Sequence, residues 1–247
     1  MPASRRRAAM VVVLGLLVVA CSDALTGSDR VRGSGELTLE ARSIPEFERV
    51  VLAGEGNVVF GTGSDGLVEV ETDDNLLTHI RTDVSGDTLT ISTEPGIDID
   101  PTGDVIYRLG CPVITAVVLS GAGTIDVAGC VTTDRLQIDL PGAGTIIAPD
   151  LDVSALRASL PGAGSIVATG RTDQLDVVLA GAGDFDGGDL RADAASIESL
   201  GVGMTTLWAT TELYVSVTGV GSVRYYGEPA VSSSVTGVGT IEALGLK

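Results

Sequence analysis

The chain has 247 residues, enough for one or two domains; 44% of them are hydrophobic and only 3% aromatic, so a packed core must be aliphatic. Fifteen basic residues stand against 33 acidic ones, a net charge of −18, and Arg5, Arg6 and Arg7 all fall at the N-terminus. A surface of that sign repels phosphate backbones and anionic head groups, which excludes nucleic acid as a partner.

After Arg5-Arg6-Arg7, Ala8 to Ala20 are uncharged and mostly apolar, and Cys21 follows. A positive stretch, a short apolar stretch and a small residue before the cut read as an export signal over residues 1–20. The run is shorter than the ~20 residues that a spanning helix needs. Val18-Val19-Ala20-Cys21 resembles the lipobox of bacterial lipoproteins, although Leu is commoner where Val18 stands. That resemblance implies cleavage before Cys21 and diacylglycerol on its thiol. The chain is then exported and anchored by lipid to the bacterial cell membrane or outer membrane. The competing reading is an ordinary secretion signal with an incidental cysteine. Residues 21–35 are polar and aperiodic and are expected to form a flexible tether; residues 36–247 form the folded domain.

From Glu36 to Pro112 the pattern is β-rich but irregular. Arg49-Val50-Val51-Leu52, Gly54-Glu55-Gly56 and Asn57-Val58-Val59-Phe60 look like an early, degenerate copy of the unit that repeats later. Val68 to Thr72 and Asp87 to Ile91 read as strands, and Asp74 to His79 as one short helical turn. This region is expected to be a lead-in that covers the first coil's open end.

Gly-x-Gly then recurs at Gly121, Gly142, Gly162, Gly181, Gly201, Gly219 and Gly237, in steps of 18 to 21 residues. Ahead of each corner, aliphatic residues alternate with polar ones, as in Leu136-Gln137-Ile138-Asp139-Leu140. Two residues past each second glycine stand Ile125, Ile146, Ile166, Phe185, Thr205, Val223 and Ile241. Period-two alternation marks strands with one buried face, and a period near 20 marks a solenoid. The expected fold is all-β: a single-stranded parallel β-helix (β-solenoid) of about 20 residues per coil, each coil a strand, a glycine corner, a second strand and a closing loop such as Thr132-Thr133-Asp134 or Arg171-Thr172-Asp173. A phosphate-cradling loop would need a helix after the glycines, and a strand-like segment follows each time.

Cys111 and Cys130 are nineteen residues apart, one period, and so fall near each other on adjacent coils. In an oxidising compartment they form a disulfide; otherwise they are two buried thiols. Asp184-Phe185-Asp186-Gly187-Gly188-Asp189 interrupts the repeat. Its carboxylates, Asp184, Asp186 and Asp189, could bind calcium or act as an acid/base pair, as in glycoside-cleaving β-helices; the plainer reading is a solvated acidic turn. His79, the one histidine, has no evident catalytic partner and reads as a solvated or capping residue. Trp208, Tyr225 and Tyr226 read as packing near the last coils.

With those residues in hand, the chain resembles the bacterial DUF2807 family, also called the head GIN domain or autotransporter adhesin family. The carriers are FERVVLAGEGNVVF, VEVETDDNLLTHIRT, DTLTI and the serial LSGAGTIDV-type repeats, over about residues 44–227. The resemblance implies an envelope protein with a right-handed β-helix-like fold and no established activity. Relatives often carry Ser or Thr inside Gly-x-Gly where this chain has Ala and Val. The expected function is non-enzymatic, an adhesion-like or structural role at the envelope. It needs no cofactor, and its partners are the membrane through acylated Cys21 and an envelope protein or polysaccharide. The alternative is a glycoside hydrolase or lyase centred on Asp184 and Asp186. That enzyme needs a groove with basic residues, and the twelve basic residues after the leader lie mostly singly along the chain.

Overall fold

The aliphatic segments on either side of each glycine corner form parallel strands stacked coil upon coil in the computed structural model, which describes residues 28–128, 130 and 133–247. Val58, Ile125, Ile146, Ile166, Phe185, Thr205, Val223 and Ile241 stand in one interior file, each the register partner of the next. A second file runs Leu89, Val50, Val117, Ile138, Ala158, Val177, Ile197, Val215. All of these except Ile241 are buried. Each fully buried Ile or Val contributes about 1.5–3 kcal/mol by leaving water, so the two files are the main cohesive element. Between them the middle residue of each corner, Ala122 through Val238, faces solvent.

From Ala143 onward a coil is one long strand: Ala143–Leu160, Ala163–Leu179, Ala182–Ser199 and Val202–Val217. The loop expected at Arg171-Thr172-Asp173 is therefore strand. Thr172 points inward, buried, and its hydroxyl donates to the carbonyl of Gln174 at 2.9 Å. The coil turns instead at a register shift, where Ala148 pairs with Ala168 but Leu151 with Gly170, and Asp150 takes a φ of 53°. A bulge bends a strand by interrupting its ladder only locally, and pairing resumes at Leu151 with Gly170.

Stack order departs from chain order at the N-terminal end. The copy Arg49–Val59 pairs with Ala116–Asp126 on one side. On its other side it pairs with Thr88–Ile91 and Ile106–Arg108, the outermost parallel layer. Antiparallel strands then cover that layer: Ile80–Ser85 on Thr88–Thr93, and Leu67–Asp73 between Ile106–Leu109 and Leu37–Ser43. Gly86, at φ 64°, makes the two-residue turn of the first hairpin. The lead-in covers the open end as expected, but as a mixed sheet. At the far end, Ala230–Val235 is exposed along its length, and no antiparallel strand covers it among the described residues.

The segment 21–35, expected as a tether, is folded from Asp29 onward. Asp29–Arg32 pairs in parallel with Ile97–Asp100. Residues 33–36 are held by the Asp73-Asp74-Asn75 run. The buried Asp73 carboxylate accepts hydrogen bonds from the Gly35 amide (2.7 Å), the Thr102 amide (2.8 Å) and the Thr102 hydroxyl (2.7 Å). The Ser34 hydroxyl donates to Asp74, the Ser34 amide donates to the Asn75 side chain, and that side chain donates in turn to the Arg32 carbonyl. Leu76 and Leu77 enter the core and begin the expected turn, a 3-10 helix at Leu77–His79. The DDNLL block is thus a clamp on the incoming chain.

The Thr102 hydroxyl, followed by the surrounding amides, holds the Asp73 carboxyl below its ordinary value despite burial. A depressed folded pKa contributes stability that is present above the unfolded value, about 3.9, and is lost as pH falls through the folded one. Asp73→Asn, which sets an amide against three donors, is expected to lower stability by about 2 kcal/mol at neutral pH. It should also flatten the acid limb of the stability curve. Urea titrations at neutral and acid pH check this; a variant that loses as much stability in acid as at neutrality would refute the clamp.

Candidate functional site

Alternation that buries one residue of a strand presents the next, and stacking turns those outward residues into columns. The residue five positions before each first corner glycine is Arg49, Ala116, Gln137, Arg157 and Asp176 in turn, and these five are consecutive register partners. Two residues earlier on neighbouring strands, Arg135, Ala155 and Gln174 form a second column. Ala116 is fully buried between its longer neighbours. With Thr115, Thr133 and Asp134 at the edges, the columns line an open groove of about 700 Å³. From Arg49 to Arg157 is three ladder steps, roughly 14 Å at ~4.8 Å per step.

The arginines of this groove differ from most of the chain's other cations. Arg30, Arg42, Arg81, Arg108, Arg171, Arg191, Arg224 and Lys247 each lie in an ion pair. Arg49, Arg135 and Arg157 lie in none among the described residues. Gln137 donates to Asp139 at 2.6 Å, which occupies that carboxylate from outside the groove. A second hollow, of about 830 Å³, lies beside Cys111. Its charged lining residues, Glu46, Glu48, Asp65 and Asp87, are all acidic and suit no anion.

Cys111 and Cys130 are joined as a disulfide, with Cα atoms 4.9 Å apart. Cys21 lies outside the described residues. Asp184, Asp186 and Asp189 do not converge. Asp184 accepts from the Met204 amide at 2.7 Å, and Asp186 from the Gly188 amide at 3.1 Å. Asp189 pairs with the Lys247 ammonium, which also reaches the Gly188 carbonyl. The described residues hold no group of three such side chains fit for a metal, and each of these carboxylates meets a separate partner. Lys247 sits 4.9 Å from the Tyr226 ring centre and 5.8 Å from that of Trp208, so these half-buried aromatics pack as expected. His79 Nδ1 lies 3.3 Å from Glu94, whose carboxyl is held low by His79 first and Arg81 second.

Tyr107 and Glu55 show what the covered end does to ionisable groups. Burial, with the Glu55 charge second, pushes the Tyr107 phenol well up, and its hydroxyl donates to the Glu55 carbonyl at 3.1 Å. Burial and the nearby Asp98 and Asp100 raise the Glu55 carboxyl in turn. Both groups are held toward their neutral forms.

No described helix is long and apolar enough to cross a membrane. The DUF2807 family, described as "Putative auto-transporter adhesin, head GIN domain", matches residues 46–229. No curated protein matches the sequence. The chain is similar to the crystal structure of a "putative adhesin" from Bacteroides fragilis, at 25% identity and a TM-score of 0.76, over 87% of this chain and 100% of that one. A second "putative adhesin" structure, from Parabacteroides distasonis, matches at 22% identity and a TM-score of 0.67, over 87% and 100%. A third, from Parabacteroides merdae, matches at 18% and 0.58, over 87% and 99%.

Proposed function

The chain belongs to the DUF2807 head GIN domain family, and from that premise we propose that it is a lipid-anchored envelope protein that binds a surface partner and transforms no substrate. The observation that carries this reading is the lateral groove. Stacked coils set Arg49, Arg135, Arg157, Gln137 and Gln174 side by side on a backbone fixed by its ladder. Groups spread over several coils suit an extended partner better than a small substrate. Anchoring is supported by the Arg5-Arg6-Arg7 leader and the Val18-Val19-Ala20-Cys21 run. The chain joins the fold at Asp29, on the covered end, so an attachment at Cys21 would leave the stack of coils free for contact.

The test feeds cells a clickable fatty acid. The protein should take up label and partition with membranes, and Cys21→Ser should abolish the label and release the protein. Label that persists in Cys21→Ser would refute the anchor. Soluble product formed from a polysaccharide panel by the purified chain, and lost in Asp184→Ala/Asp186→Ala, would overturn the non-enzymatic half.

A further inference from the structure

We propose that the Arg49–Arg135–Arg157 groove binds a linear anionic polysaccharide laid along the stack of coils. This deepens the binding reading above and rests on it.

Three features of the groove select that ligand. The first is charge. In a chain of net charge −18, the cations that lack an ion pair among the described residues are Arg32, Arg49, Arg135 and Arg157, and the last three share this groove. A guanidinium holds a carboxylate or sulfate through two parallel N–H donors, and one not already committed to an internal partner is available to do so. The second is spacing. The arginines come from different coils, so the ladder strings them along the solenoid axis over roughly 14 Å. A polymer with repeated anionic groups meets several at once; a single small anion meets one.

The third feature separates a sugar chain from other polyanions. Gln137, Gln174, Thr115 and Thr133 alternate with the arginines and bring neutral donors and acceptors. Asp134 and Asp176 stand in the same lining. To a ligand of charge alone these carboxylates are repulsive. To a uronate or sulfated sugar they are acceptors for ring hydroxyls.

The full chain, purified in detergent micelles, is titrated at low ionic strength with polygalacturonate, dextran sulfate, neutral dextran and polyglutamate. Polygalacturonate or dextran sulfate should bind, whichever is tighter reporting carboxylate or sulfate as the preferred group, and added salt should weaken it. Arg135→Gln/Arg157→Gln should weaken binding at least about tenfold, as expected for loss of charge-assisted hydrogen bonds. Arg171→Gln, whose guanidinium pairs with Asp152 outside the groove, should leave it unchanged. Equal binding by the double variant, equal loss in Arg171→Gln, or polyglutamate as tight as the sugars would each overturn the assignment. So would no binding of either anionic sugar. Failure here leaves fatty-acid labelling at Cys21 intact, whereas failure of the anchor leaves binding by the purified chain intact.

Discussion

Gly144→Ala is expected to destabilise the protein by about 4 kcal/mol, near the top of what single substitutions do. Two costs add at this position. Gly144 has a φ of 142°, a region that an L-residue enters at a cost of about 1–3 kcal/mol. A Cβ there would also sit on the carbonyl oxygen of Gly123, one coil below. That contact is backbone on backbone, in register with Gly123 and Gly164, so no side chain can swing away to relieve it. Relief would require separating two coils and breaking ladder hydrogen bonds. The neighbouring Ala143 is the control. Its column faces solvent and already carries Val at 202, 220 and 238, so Ala143→Val should change stability by less than about 0.5 kcal/mol. Urea unfolding of the two variants decides it. Comparable losses in both would mean that the corner is sensitive to bulk in general and that the backbone contact is not the cause.

Removal of the Cys111–Cys130 bridge, as the double serine variant, should lower stability by about 3 kcal/mol in the chain-entropy account. The two residues are 19 positions apart. Cys111 follows the strand Ile106–Leu109 of the end layer, and Cys130 follows the coil strand Ala122–Asp126. The copy Arg49–Val59 lies between those layers. The bridge therefore fastens the end layer across an intervening coil to the repeats, and its loss frees the least regular part of the stack. Cys130 is 1% exposed, so serine there also buries a hydroxyl. The intact protein should gain the mass of two hydrogens on reduction, with a matching fall in its unfolding midpoint. An unchanged mass, or an unchanged midpoint after reduction, would sink this expectation.

Much of the solenoid was legible because its determinants are local. Alternation of Leu136, Ile138 and Leu140 with Gln137 and Asp139 sets the strand and its buried face within five residues. The glycine spacing sets the coil length, so Ile125, Ile146 and Ile166 could be placed in one file from the chain alone. Cys111 and Cys130 do meet, but the same period had placed them on adjacent coils, whereas the Arg49–Val59 copy lies between their layers. The Arg171-Thr172-Asp173 segment misled for a related reason. Polar residues between apolar runs look like a loop, but a bulge can turn a coil while pairing resumes on either side of it.

The groove had a readable trace that the inward columns overshadowed. Arg49, Gln137, Arg157 and Asp176 share one offset from their corners, five residues before the first glycine, yet along the chain they are isolated single residues. The same holds for Asp73, an unremarked acid in a strand until Gly35 and Thr102 are brought to it.

Composition, strand periodicity and corner chemistry were thus determined by the sequence itself, since each depends on residues within about one coil of each other. Only the tertiary structure decided that Arg49–Val59 pairs with Ala116–Asp126 while the chain between them folds back to cover the other side. That choice is a competition between distant strands for the same ladder edge, and no local pattern records its outcome. The groove depends on it, because Arg49 stands beside Ala116 and Gln137 only once those coils are stacked in that order.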